Sequence, residues 1–594
     1  MTTIQHPTDM SRRKFMAIAG GAAGLAAMAA MGLSPDQGVC SVNVPEIDID
    51  KMAYAQNQAD VLVIGGGMAG LFAAVKAHDA GAKVMLVSKG SLGSSGQTPF
   101  AKGIFAFDSR SAGISLDEFV DKVSRSALGT NNPVYTRQMA VHSLARVNEL
   151  KQWGFFDSPL YNKSFNTPVK ERNILVKERI VITHLIKEKG RISGAAGFSL
   201  DKEEILFFKA KSVILCTGAG GFKPNGFPIC DLTHDGTVMA YNIGAKVTGK
   251  EWNDGHPGRA KNAAACFDGW HGMFERKPGI TGVGIRHDLG VDLNYRAYIT
   301  GNSIKMGHPG TGGNSAAVGG PYVPDEFKRN GPPSGERGPG EGHGAHGDTG
   351  PRGGGPPKEG EAPPPGMAGT PVGGSSAGMS IHKSEGLVPI NERCESNIPG
   401  LYAAGDALGS YMAGAIYTQI GSSLAGSAVQ GAVAGKAAAE YCEGVEMPAI
   451  SKTKMNEVKA EILAPLRREA GYSPAWVTQT LQGIMIPNFI IYIKKESLLK
   501  AALAYVVELR DHHMPMLKAA DLHELRLAFE TANMIVSAEM KLKASLMRKE
   551  SRCSHYRLDY PEMDTENWNA WINIYKDRDG SMKLEKQPFG SWPT

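Results

Sequence analysis

At 594 residues the chain is too long for one simple core, and 42% hydrophobic with 21% charged residues is the balance of a soluble globular protein of two or three domains. A formal charge of +5, with no basic patch interleaved with aromatics, gives no case for a nucleic-acid partner. Seven scattered cysteines (Cys40, Cys216, Cys230, Cys266, Cys394, Cys442, Cys553) form no Cys-x-x-Cys pair, which excludes a ferredoxin-type cluster, a zinc ribbon and a Cys-x-x-Cys-His haem site; buried thiols and no resident metal are expected.

The N-terminus reads "SRRKFMAIAGGAAGLAAMAAMG". Arg12 and Arg13 precede an apolar run, Ala17–Gly32, whose alanines and glycines make it a poor membrane anchor. The stretch resembles a bacterial twin-arginine export signal. That resemblance implies a protein folded around its cofactor before export, an extracytoplasmic location such as the periplasm, and the twin-arginine machinery as a partner. Ala53-Tyr54-Ala55 is a small-x-small triplet but lies far from the apolar run, and Val39 before Cys40 argues against a lipoprotein anchor. Residues 1–55 are set aside as leader.

Next comes "ADVLVIGGGMAGLFAAVKAHDAGAKVMLVSKG". The apolar run Val61–Ile64 predicts a strand buried on both faces. Gly65, Gly67 and Gly70 then make Gly-x-Gly-x-x-Gly, enclosing Met68 and Ala69. Leu71, Ala74, Val75 and His78 follow at helical spacing, and Lys83–Val87 predicts a second strand. In a strand–turn–helix setting this spacing is specific. Gly65 allows a tight turn, Gly67 lets backbone approach a pyrophosphate, and Gly70 lets helix and strand pack closely. The helix N-terminus offers free N–H groups to the phosphates.

Where an acid usually ends the second strand stand Ser88 and Lys89, then Gly90. A serine hydroxyl can also accept from a ribose hydroxyl. The segment "LVSKGSLGSSGQTPFAKGIFAF" resembles the fumarate reductase/succinate dehydrogenase flavoprotein family and the related L-aspartate oxidases. The resemblance implies FAD rather than NAD, held by a loop running from Ser88 through Gln97 and Thr98 to Gly103. Where many members carry a histidine bonded covalently to the flavin, this chain has Gln97, which implies non-covalent FAD.

Other segments continue the resemblance. "KSVILCTGAGG" predicts a strand entering a turn with Thr217 and Gly218, and resembles the loop that closes on FAD. Alternations between Leu175 and Phe208 predict a small antiparallel insert. "NIPGLYAAGDALGS" resembles the second FAD signature, with Asp406 as acceptor for the ribityl chain. "IGSSLAGSAVQGAVAGKAAAEY" predicts a helix over 420–441, and the resemblance places Ser422, Ser423 and Leu424 where backbone N–H groups face the flavin's pyrimidine oxygen.

Between these halves, "THDGTVMAYNIGAKVTGKEWNDGHPG" resembles the family's cap-entry helix and the strand leading to a substrate-binding histidine, here His256. Arg286 and Arg296 lie in the region of the proton-donating arginine. The pattern also departs from the family. In "GGSSAGMSIHKSEG" the substrate histidine is absent from its place, though His382 is close by, and the arginine that clamps a dicarboxylate falls at Thr418. Without that clamp, fumarate is disfavoured as substrate. Residues 308–372 are rich in Gly and Pro, include His343 and His346, and predict a solvated linker.

From Lys452 to Glu550 the spacing is helical, with stripes at Leu499, Leu503, Val506 and at Leu522, Leu525, Phe529. "RKESRCSHYRLDYPEMDTENWN" then closely resembles a C-terminal segment of the same family, which also occurs in L-aspartate oxidase and more loosely in adenylylsulfate reductase. There the tail folds back toward the flavin domain.

The fold expected is α/β. It has a doubly wound, Rossmann-like FAD domain (58–232 and 391–445), an inserted α+β capping domain (233–390), and a C-terminal helical bundle with tail (450–594). The expected activity is FAD-dependent hydride transfer to an activated, unsaturated small molecule. Electrons would come from a separate donor such as a cytochrome or iron–sulfur protein. An oxidase or dehydrogenase working in the other direction, and a flavoprotein relay subunit, stay open as alternatives.

Overall fold

The computed structural model describes residues 52–223, 229, 231–253, 258–260, 275–285, 370–372, 383–416, 418–419, 421–486, 488–491 and 493–591. The export signal, His256, Arg286, Arg296, His382 and nearly all of the Gly/Pro-rich segment with His343 and His346 lie outside them.

Seven strands form the central sheet. Strand β1 (Ala53–Ile64) ends in the buried run Val61–Ile64 and pairs in parallel with β2 (Val84–Val87). Strand β3 (Gly103–Phe105) lies outside this sheet and pairs with Gly279–Thr281. β4 (Leu175–Lys177) extends the sheet beyond β2. The antiparallel insert is β5 (Ile180–Glu188), β6 (Arg191–Ser199) and β7 (Glu204–Leu215). β7 divides its pairing: its first half faces β6, while Val213–Leu215 pair in parallel with Leu401–Ala403 of the second FAD signature.

β1 is three times longer than the apolar run predicted. Its first half, Ala53–Ala59, lies beside Glu204–Ala210 of β7, so a partner rather than side-chain pattern holds it extended. The triplet Ala53-Tyr54-Ala55 is thus paired strand, opposite Glu204–Leu206, and not the loose linker that a cleavage site there would need.

Helix Met68–Asp79 packs between this sheet and helix Ser422–Glu443. Its predicted one-sided stripe is overridden by burial on nearly every face, leaving only its last turns near water. The glycines of the serine-led helix explain the closeness. A Cβ at Gly431 would overlap the Ala69 carbonyl oxygen, and one at Gly435 that of Ala73.

The C-terminal bundle contains helices Lys452–Arg467, Pro474–Met485, Glu496–Glu508 and Leu522–Met547. Leu499, Val506 and Leu525 are fully buried, whereas Leu503, Leu522 and Phe529 pack at its margins. The tail then turns back. Tyr556–Arg557 pair with Ile493–Lys494, and Ala570–Lys576 pair with Val247–Thr248.

Three arginines of the tail motif are fully buried. Arg548 donates to Glu251 at 2.9 and 3.0 Å, to Glu550 at 2.8 Å, and to the carbonyls of Trp568 and Ala570. Arg552 grips Glu550 at 2.9 and 3.0 Å and reaches the Leu128 carbonyl of the FAD domain at 3.1 Å. Arg557 holds Asp559 at 2.7 and 2.9 Å and the Ser545 carbonyl at 2.7 Å. A guanidinium's fixed fork of donors fits such sites. The motif's spacing thus encodes a buried clasp joining the tail to both other regions.

The described cysteines, Cys216, Cys394, Cys442 and Cys553, are free and buried. Burial pushes the thiols of Cys394 and Cys553 up to about 12.

Candidate functional site

One cleft opens where the strand–turn–helix unit meets the second FAD signature. Its walls include Gly65, Gly66, Gly67, Met68, Ala69, Ser88, Lys89, Gly90, Gln97, Thr98, Thr217, Gly218 and Asp406. The sequence spreads these residues over more than three hundred positions. β1, β2 and β7 carry them together because parallel strands end at the same edge of the sheet.

The glycines are required by close approach. Gly65 sits at φ +120, and a Cβ there would overlap the Cys216 carbonyl oxygen at the end of β7. A Cβ at Gly70 would overlap the Gly65 carbonyl, so Gly70 stands behind the turn, outside the cleft's lining. Helix Met68–Asp79 has no side-chain cap from its own N-cap, Gly67. Thr98 supplies one from the loop, its Oγ1 accepting from Met68 N–H at 3.1 Å.

Ser88 is buried, with its backbone spent on the sheet: its N–H donates to Lys177 and its carbonyl accepts from Ile180. That leaves the hydroxyl for the cleft, against Gly66, where a Cβ would come within 2.7 Å of it. Thr217 Oγ1 is buried without a hydrogen-bond partner beside Gly236. An orphaned hydroxyl in a cleft floored by glycine is what a ligand rich in hydroxyl and phosphate groups would satisfy. The residues present therefore fit a dinucleotide.

Lys89 borders the cleft, but its ammonium is engaged elsewhere. It donates to Asp235 Oδ2 and to Glu530 Oε1, each at 2.8 Å, and lies 3.5 Å from Thr233 Oγ1. Burial opposes its charge, yet Asp235, Glu530 and Asp231 more than offset this and raise its pKa. Lys89 is thus a strut between the FAD loop, the cap-entry helix Asp235–Asn242 and helix Leu522–Met547.

Glu530 titrates accordingly. Burial disfavours its charge, but Lys89, Lys223 and Arg526 hold the carboxyl down at about 2. An acid depressed below its unfolded value of about 4.3 stabilises the fold above that value, and the contribution fades as pH falls toward the folded one. Glu530→Gln should therefore flatten the acid limb of a stability–pH curve between about pH 4 and 2. Urea unfolding over that range checks it.

Asp406 sits in the turn Gly405–Ala407, which lines the cleft next to Ala69 of the fingerprint. Gln430 fixes that turn by accepting Gly405 N–H at 3.1 Å. Lys383 pairs with the Asp406 carboxylate and donates to Ser427 Oγ at 3.0 Å.

Ser422, Ser423 and Leu424 begin helix Ser422–Glu443 as expected, but none lines the cleft itself. Ser422 turns its hydroxyl back to the Gln419 carbonyl at 2.7 Å. Gly103 lies in β3, paired with Gly279 of the cap, also outside the lining. Gly421 joins these elements, since a Cβ there would come within 2.7 Å of Phe105 N. Thr418, at the place of the missing arginine, donates to the Ala413 carbonyl at 3.1 Å.

Several polar groups escaped the sequence reading. Lys383 stood in a segment already quoted and Asp231 just ahead of one, without a periodic or spacing signal to mark them. The buried pairing of His234 with Glu385 at 2.9 Å, joined by Lys250, links residues about 150 positions apart. Gln419 is buried with neither amide atom hydrogen-bonded.

Comparison with known proteins agrees with this arrangement. Residues 60–167 match a family model described as FAD binding domain, and residues 478–591 one described as fumarate reductase flavoprotein C-term. The chain is 27% identical over 574 residues to an uncharacterized FAD-dependent oxidoreductase of Methanocaldococcus jannaschii, covering 90% of this chain and 99% of that one. It is 25% identical over 591 residues to a subunit of the fumarate reductase (CoM/CoB) of Methanothermobacter marburgensis, with the same coverage. A mutant of E. coli quinol fumarate reductase shares the fold, with a TM-score of 0.67 at 17% identity over 90% of this chain and 97% of that one. FAD is the cofactor. The chain is an FAD-dependent oxidoreductase, and its matched segments and full-length relatives make it similar to the fumarate reductase/succinate dehydrogenase flavoproteins.

Proposed function

We propose that the protein is an exported reductase that passes a hydride from reduced FAD to an activated, unsaturated small molecule. The observation that carries this reading is the end-to-end match to a fumarate reductase subunit, joined to a cleft that both FAD signatures line. The cofactor's chemistry is two-electron hydride transfer. The chain's part is to hold it. Gly65–Ala69 would receive the pyrophosphate, Ser88 the adenosine ribose and Asp406 the ribityl chain, and the start of helix Ser422–Glu443 would offer its positive end to the ring.

The acceptor carbon that gains the hydride leaves its neighbour needing a proton. His256, Arg286 and Arg296 are the candidates to orient the acceptor and deliver it. Thr418 in place of the clamping arginine argues for an acceptor other than a plain dicarboxylate. Electrons come from a separate carrier, because the sequence holds no cluster or haem motif. The Methanothermobacter relative is named as one subunit of its reductase, which supports a multi-subunit arrangement of that kind.

Reduced viologen assayed against enoates, sulfoxides and N-oxides tests the reading. Oxidation that depends on an enoate is expected. Peroxide formed from a reduced substrate would mark an oxidase instead, and no turnover with any acceptor would mark a relay. With Gln97 in the loop, acid or heat denaturation should release all the flavin into the supernatant. Yellow colour staying with the precipitate would show a covalent bond. Arg12→Lys with Arg13→Lys should leave the protein in the cytoplasmic fraction.

A further inference from the structure

Asp406 does not stand alone in the cleft wall. Lys383 is fully buried, adopts φ +66, and ends its side chain between two residues of that wall, the Asp406 carboxylate and Ser427 Oγ. Its route is built for it. The aliphatic stem crosses Gly426, where a Cβ would overlap Met412 and lie 3.3 Å from Lys383 Cε. The Lys383 carbonyl accepts from Tyr411 N–H at 2.6 Å.

Stability alone does not call for this arrangement. Burying two ions carries a desolvation penalty, and well-packed apolar residues at such positions are often equally stable or better. The pair matters for its position. FAD gains negative charge on reduction, and charges close to a flavin tune how readily it accepts electrons. A bare carboxylate in the wall would oppose reduction across a poorly screened interior. We propose that Lys383 is a positioning residue for FAD: it holds the Asp406 carboxylate for the cofactor and cancels that charge, making the bound flavin easier to reduce. The inference rests on FAD occupying the cleft and is independent of which acceptor is reduced.

Three variants test it: Lys383→Met, Asp406→Asn, and the two combined. For each, the FAD dissociation constant is measured by fluorescence and the midpoint potential of the bound flavin by spectroelectrochemistry, with thermal unfolding in parallel. Lys383→Met should weaken FAD binding roughly tenfold or more and make the potential more negative. Asp406→Asn, measured at a pH low enough to keep the unpaired, buried lysine protonated, should move the potential the other way. The double variant should return close to the wild-type potential, because both charges have gone. A lowered unfolding temperature with an unmoved potential in both single variants would overturn the proposal. Should Lys383→Met not fold, Asp406→Asn decides against the double variant, and equal potentials in those two would overturn it as well.

Discussion

Gly70→Ala should yield colourless protein. The added Cβ would overlap the Gly65 carbonyl oxygen, which is backbone and cannot swing aside as a side chain would. Relief requires helix Met68–Asp79 to move off the turn, and overpacking of this kind costs about 1–3 kcal/mol or more. The helix is also pinned from behind, where the Ala69 and Ala73 carbonyls face Gly431 and Gly435. The strain therefore falls on the turn that lines the cleft. Flavin absorbance per mole of purified protein should fall to near zero and stay there after incubation with FAD. Gly444→Ala is the control: open space surrounds that position at the end of helix Ser422–Glu443, and its flavin content should match the wild type.

Arg548→Met should destabilise the protein by about 3–5 kcal/mol, the range for breaking a buried ion pair from one side. Methionine fills much of the volume but leaves buried Glu251 without its cation and Glu550 with Arg552 alone. Urea midpoints measure the loss. The effect should also be directional. Glu251 belongs to the segment leading toward His256, so limited proteolysis should cut the Trp252–Gly258 region before the FAD domain opens. A change below about 1 kcal/mol would show that the clasp is not closed in solution.

How much of this was legible in the sequence depends on how local each feature is. The fingerprint could be read because its glycines, apolar run and helical spacing lie within about thirty residues, and each has its own steric reason. The helix at Ser422 and the bundle beyond Lys452 could be read from periodicity. The first half of β1 could not, since only its partner β7 makes it strand. The tail's arginines were visible as a pattern, but nothing in their spacing announced full burial. Lys89 was expected to face the cofactor. Its ammonium instead holds Asp235 and Glu530, two acids met hundreds of residues later. Lys383 and the His234–Glu385 pair escaped for the same reason, because a buried charge is explained only by a partner that the fold delivers.

The meeting of helix Met68–Asp79 with the glycine face of helix Ser422–Glu443 has a mechanical consequence. Backbone resting on backbone leaves no compressible side chains between the fingerprint wall and the wall carrying Asp406. The two walls form one stiff jaw, and neither can retreat without the other. A side chain added at Gly431 or Gly435 would therefore be felt at both walls at once.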